Sequence, residues 1–368
     1  MNRLVVVLVV LLVFSLVATA QNQPFKLGTF ERDGRHFVGI VLRDTVVIDV
    51  VTATRAITLG DRAIAPPSDM KDLIARYDQG LRGRLQEIIA AVTGSSTRAS
   101  YVYDLSALKV LPPIMYPTTM VNVALNYREH ATEMAGLNSG PPALTPGAPP
   151  PGTATPGTQS APGIWERGVN DSRWNPYMFL KAPSAVIAHG EPIRLPQGRE
   201  QIDWECELGV VVGGSAARVP VARAHEVIFG YTIENDVSDR GGRGDDRYGS
   251  DWLIGKSHDT FAPMGPFIVP KEFAGDPRKL NVKFLLNGQL MQDASTSLMI
   301  HDVFEQVSYA SHIITLRVGD VIATGSPAGV GSARKPPIFF KGGDTAVCTY
   351  EGIGTLTNPV IGPSASTR

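Results

Sequence analysis

From Tyr177 onward the chain is cut into short apolar runs separated by turns, and this segmentation limits the possible fold more than any other feature. The runs include Ala185 to Ile187, Leu208 to Val212, Val282 to Leu286, Val321 to Thr324 and Thr345 to Thr349. Short β-branched and apolar stretches bounded by Gly, Pro and Asp read as strands. The one clear helix of this half spans about 300–313, with Val303, Val307, Ala310 and Ile314 on one stripe. The alternating strand–helix rhythm of a doubly wound sheet is missing. The expected class is therefore α+β and β-rich.

The first hundred residues read differently. Short strands between Lys26 and Val51 surround the turn Arg32-Asp33-Gly34-Arg35. A helix capped by Ser68 or Asp69 should then carry Leu73, Ile74, Tyr77, Leu81, Leu85, Ile88 and Val92 on one face until Gly94. Residues 21–111 thus form a small N-terminal α+β domain, with Pro112-Pro113 as the boundary to a catalytic domain over 112–362 and a short tail over 363–368. Inside the second domain, 136–175 is rich in Pro, Gly, Thr and Ala and cannot bury enough apolar surface to fold alone, so it is expected to be a mobile or polyproline-like loop.

Residues 1–20 follow the plan of a secretory signal: Arg3, an apolar run from Leu4 to Val17, and the cleavage sequence Ala18-Thr19-Ala20. The run falls short of the ~20 residues a spanning helix needs. The expected product is exported, to a bacterial periplasm, with no stable membrane insertion after cleavage. Removing Arg3 leaves 33 basic against 35 acidic residues, which gives no electrostatic case for a nucleic-acid partner. Export permits a disulfide between Cys206 and Cys348, but both lie in apolar runs where a small buried thiol is the simpler expectation.

The chemistry concentrates at Asp203-Trp204-Glu205-Cys206-Glu207. On a strand, Glu205 and Glu207 share one face and Cys206 points the other way. Two adjacent carboxylates raise each other's proton affinity unless a cation lies between them. Asp236 ends another apolar run about thirty residues on. Three oxygen donors without Cys or His suit Mg²⁺, with Mn²⁺ or Ca²⁺ as alternatives. Further upstream, Met120 to Leu125 reads as a buried strand leading into a helix from Arg128, on which His130 and Glu133 stand at i, i+3. Such a pair is usually a solvated surface contact, and a catalytic dyad is the sharper alternative.

Taken in order, these pieces resemble the fumarylacetoacetate hydrolase family over nearly all of 26–360. The matching stretches are Leu125-Asn126-Tyr127-Arg128-Glu129-His130 with Glu133, Phe179-Leu180-Lys181-Ala182-Pro183-Ser184, and Asp203-Trp204-Glu205-Cys206-Glu207-Leu208. They continue with Gly230-Tyr231-Thr232, Asn235-Asp236-Val237-Ser238, Gly255-Lys256-Ser257 with Asp259, and Pro263-Met264-Gly265-Pro266. Val318-Gly319-Asp320-Val321-Ile322, Thr324-Gly325-Ser326-Pro327-Ala328-Gly329-Val330-Gly331 and Gly352-Ile353-Gly354-Thr355-Leu356 complete the set.

The resemblance implies a mixed β-sandwich roll preceded by the small domain and paired as a homodimer. It implies Glu205, Glu207 and Asp236 as the metal ligands, His130 and Glu133 as a catalytic dyad that closes over the substrate, and Lys256 as the cation that holds an anionic substrate. Tyr127, Arg240, Thr324, Gly325 and Ser326 are the implied substrate-binding residues. The implied activity is divalent-metal-dependent hydrolysis or lysis of a C–C bond in a small 2-oxo or 1,3-dioxo carboxylic acid of acylpyruvate or fumarylacetoacetate type, through a metal-bound enolate. The alternatives are an isomerase or decarboxylase acting on a 2-hydroxy-dienoate or oxaloacetate, or an exported, weakly catalytic binder of metal-chelating acids. Departures from the family pattern are Asp239 in place of a small residue, Gly241 in place of Asp, Ser326 in place of Thr, His258 in an aromatic position, and the Pro-rich insertion. His258 is expected to pack rather than ligate, and the other histidines (His36, His189, His225, His301, His312) to be structural or surface residues.

Overall fold

The computed structural model describes residues 23–57, 64–135, 165, 171, 173–244 and 250–363. The expected signal segment, most of the Pro-rich stretch and all but the first residue of the tail lie outside the described residues. Among the described residues, no helix is long and apolar enough to cross a membrane.

At the centre lie the antiparallel strands Cys206–Val212 and Ile228–Asn235, with every residue buried. Burial on both faces is why their sequences are mostly apolar, with Glu207, Thr232, Glu234 and Asn235 as the buried polar exceptions. Period-two geometry divides the first of these strands. Cys206, Leu208, Val210 and Val212 meet a five-stranded sheet through Val282, Phe284, Ala346 and Leu356. On the other side, Val211 meets Leu73, Leu85 and Ile88 of the N-terminal helices. The central pair belongs to a twelve-stranded mixed sheet. Lys26–Arg32 joins it by pairing antiparallel with Ala262–Pro270, so the N-terminal strands extend the same sheet that carries the site. The result is the α+β, β-rich architecture expected.

Three local expectations need correction. The single helix expected over 69–94 is two, Met70–Arg76 and Leu81–Thr93, separated by a 3₁₀ turn and by Gly80 at φ +109°. The left-handed Gly80 ends the 3₁₀ turn and starts the second helix, and the apolar stripe continues because both pieces bury the same side. The helix expected at about 300 starts at Val303, where Asp302 accepts hydrogen bonds from the Phe304 and Glu305 amides and Glu305 reaches back to the Asp302 amide. Finally, Cys206 and Cys348 are not separate thiols but a disulfide. Cys206 faces the second sheet, whose Thr345–Tyr350 strand sets Cys348 opposite it at a Cα–Cα distance of 5.6 Å, within the span that a disulfide bridges.

Candidate metal and active site

The Cys206↔Asn235 register brings the two central strand ends together and so assembles the site. Asp236 follows one strand, and Glu205 precedes the other rather than lying inside it. The Asp236 amide donates to the Glu205 carbonyl (2.8 Å), and the Glu205 amide donates to Asn235 Oδ1 (3.0 Å). One oxygen each from buried Glu205, Glu207 and Asp236 lies within 4.8 Å of the others. These are the three residues that the sequence nominated.

The electrostatics show what this cluster accommodates. Lys256 Nζ donates to Glu205 Oε2 (2.5 Å) and Asp236 Oδ2 (2.6 Å), and buried Lys181 pairs with Asp236 Oδ1. Arg240 Nη2 donates to Glu205 Oε1 (2.6 Å) and its Nε to Asp203 Oδ2 (3.1 Å). Burial would raise the Glu205 pKa, yet Lys256, Arg240 and His130 together hold it well below the carboxylate range. Among the described residues, Glu207 has no ion pair and accepts only the Gly325 amide (2.8 Å). Burial, then Asp236, Glu205 and Glu234, push it well above that range. Glu234, opposite Glu207 in the register, is raised to about 7, chiefly by burial, and rests on Asn122 Nδ2 at 3.2 Å from both its oxygens. Crowded buried carboxylates of this kind fit a divalent cation bridging Glu205, Glu207 and Asp236, and an all-oxygen donor set suits a hard one.

His130 and Glu133 lie on the helix Arg128–Ala135. Leu125, at φ +56°, turns the chain from the strand Met120–Ala124 into that helix. Asn126 secures the turn: its amide donates to the carbonyls of His301 (3.0 Å) and Thr324 (2.8 Å), and its oxygen accepts from the His301 amide (2.9 Å). His130 is buried, with Nδ1 3.4 Å from Glu133 Oε2 and Nε2 3.6 Å from Glu205 Oε1. Burial favours the neutral ring, but Glu133 and Glu205 outweigh it and raise the pKa. Both Glu133 oxygens accept from the Gly329 amide (2.9 and 3.1 Å), so the pair is anchored to the Gly-rich turn rather than solvated.

The cavity at this cluster is lined by His130, Glu205, Glu207, Arg240, Lys256 and Ser326, among others. Ser326 thus stands where a substrate-contacting residue was expected, with Oγ accepting from Gln292 Nε2 (2.8 Å). Tyr127 and Thr324 are buried outside the lining, and Gly325 acts through its amide on Glu207. Gly325 has φ +93°, and an added Cβ would lie 2.6 Å from Asn126 Cβ and 3.0 Å from the Val123 carbonyl oxygen. Gly325→Ala should therefore cost about 2–4 kcal/mol, read as a lower denaturant midpoint; an unchanged midpoint would contradict the packing described.

Sequence reasoning passed over several residues here. Lys181 was noticed only as part of a motif, and Asn122 and Glu234 sit in apolar runs where nothing marks them as partners. Asp239, a departure from the family pattern, is buried against Arg199 and His258 and accepts from the Gly241 amide (2.8 Å), which steadies the loop carrying Arg240. Arg243, another cavity-lining residue, has no periodic signal at all.

Residues 119–361 match the C-terminal domain of fumarylacetoacetate (FAA) hydrolase. The chain belongs to the fumarylacetoacetate hydrolase family. It is 32% identical over 337 residues to the oxaloacetate tautomerase YisK of Bacillus subtilis, covering 91% of this chain and 99% of that protein. A mitochondrial oxaloacetate tautomerase of Xenopus laevis is 32% identical over 292 residues, 77% of this chain and 81% of the relative. Among solved structures, maleylpyruvate hydrolase from Sphingobium sp. SYK-6, in complex with manganese(II) and pyruvate, superposes with a TM-score of 0.65 at 26% identity, covering 92% of this chain and all of that one.

Proposed function

We propose that this protein catalyses divalent-metal-dependent keto–enol chemistry on a small 2-oxo carboxylic acid. The observation that carries the reading is the buried cluster of Glu205, Glu207 and Asp236 with His130 Nε2 3.6 Å from its edge. A divalent cation held there, Mg²⁺ or the Mn²⁺ found in one relative, would polarise the keto oxygen and stabilise the charge of the enolate. His130, oriented by Glu133, moves the proton at the carbon beside the keto group. Arg240 fixes the Glu205 carboxylate through Oε1, and Lys256, on Oε2, supplies positive charge to the site. Two relatives named as oxaloacetate tautomerases support this form of the chemistry.

Hydrolytic cleavage of an acylpyruvate-type C–C bond is the second reading. It is favoured by the dyad itself, since His130 held by Glu133 is suited to take a proton from water. The two separate in one assay series with metal-loaded protein. Tautomerisation is followed by the enol absorbance of oxaloacetate, and cleavage by loss of an acylpyruvate. We expect His130→Ala to lower tautomerisation by about 10²–10⁴-fold while metal binding persists. An undiminished rate would remove His130 from the mechanism. Acylpyruvate cleavage faster than tautomerisation would establish the second reading. Export and a homodimer complete the proposal, checked by the N-terminal residue and the sedimentation mass of protein recovered from the periplasm.

A further inference from the structure

We propose that Arg243 is a specificity-determining residue that receives a second carboxylate of the substrate, so that the site is tuned to 2-oxo dicarboxylic acids. This deepens the function proposed above and rests on the metal-chelate reading of that site. Two of the cations on the cavity wall are already engaged: Arg240 by Asp203 and Glu205, and Lys256 by Glu205 and Asp236. Arg243 lines the same cavity. Its Nε donates to the Asp239 carbonyl (2.9 Å), and among the described residues no carboxylate pairs with it.

The guanidinium is nevertheless held in place. Its central carbon lies 5.3 Å from the centroid of the Trp252 ring. On another side it approaches Gly255 so closely that a Cβ there would lie 2.6 Å from Nε and 2.8 Å from the guanidinium carbon. Glycine immediately before Lys256 is what admits this approach. Burial, and then Arg240, lower the Arg243 pKa to about 10, so the group remains cationic at neutral pH. A partly buried cation without an anion is costly to keep. One positioned beside a site for a chelating carboxylate invites a second carboxylate, which the planar fork can bind through two parallel hydrogen bonds.

The test compares two unreactive acids, malate and 2-hydroxybutanoate. Both chelate a cation through a 2-hydroxy carboxylate, and they differ in the distal carboxylate. Full-length protein loaded with Mg²⁺ is titrated calorimetrically with each. We expect the unmodified protein to prefer malate and Arg243→Met to weaken malate about 10- to 100-fold, with 2-hydroxybutanoate changed by less than about 2-fold and the Mg²⁺-induced rise in Tm retained. Arg243→Lys should recover part of the loss, because it keeps the charge without the fork. Equal weakening of both acids, or none, or no preference for malate in the unmodified protein, would overturn the role of Arg243. Undiminished binding of 2-hydroxybutanoate in EDTA would overturn the chelate reading instead.

Discussion

Replacing Glu207 by Gln should leave the metal-free protein at least as stable as before while abolishing its response to divalent cations. Glu207 is buried, without an ion pair among the described residues, and Asp236, Glu205 and Glu234 surround it with negative charge. A neutral amide of the same shape relieves that repulsion and can still accept the Gly325 amide. The same change removes one of three oxygen ligands. In the unmodified protein, Mg²⁺ or Mn²⁺ at a thousandfold excess over Kd should add about 4 kcal/mol of stability, because it binds the folded state alone. In Glu207→Gln the rise in Tm should vanish, and turnover should fall by more than the 10- to 100-fold typical of residues that only support a ligand. Chelation by EDTA should abolish turnover in the unmodified protein. A variant that keeps the metal-induced shift would show that Glu207 is not a ligand. One that unfolds much earlier without metal would show that its charge stabilises the fold.

The second large effect belongs to Cys206. All three of its polar or reactive groups are held by the second sheet: the amide donates to Gln292 Oε1 (3.2 Å), the carbonyl accepts from the Tyr350 hydroxyl (3.4 Å), and the sulfur is bonded to Cys348. Glu205 and Glu207 flank it, so the ligand spacing depends on where this residue is fixed. The bridge spans 142 residues of sequence. Cys206→Ala/Cys348→Ala should cost about 2–4 kcal/mol of stability, and dithiothreitol should do the same to the unmodified protein. Metal affinity should fall in parallel, measured by titration under conditions where both forms remain folded. Identical denaturant midpoints for oxidised and reduced protein would contradict a stabilising bridge, and unchanged metal affinity would show that the ligands are held without it.

What could be read from the sequence divides along physical lines. The ligand triad was visible because Glu205 and Glu207 alternate on one face of a strand and Asp236 ends another apolar run, whereas His130 and Glu133 were legible only as an i, i+3 pair whose catalytic role came with the family resemblance. Segmentation into short runs carried the class of fold. What escaped depends on register and on long-range pairing. That Cys206 faces Cys348 follows from stacking two sheets, which neither local run encodes. The break at Gly80 escaped because the apolar stripe runs through it without change of phase. Asn122 and Glu234 become partners only when strands far apart in sequence share one sheet. Arg243 owes its place to the absence of a side chain at Gly255, twelve residues later.

The Asn126 junction bears on how the dyad can move. Its side chain and carbonyl tie the start of the dyad helix to the Thr324 and His301 carbonyls and to the amides of Ile300 and His301. Swinging the whole helix outward would break four buried hydrogen bonds, each worth about 0.5–1.5 kcal/mol net and more when left unsatisfied. Beyond Asn126, the Glu133–Gly329 contact is the next tether along the helix. The helix is thus pinned at both ends, at its start by the Asn126 side chain and carbonyl and toward its end by the Glu133 carboxylate on the Gly329 amide.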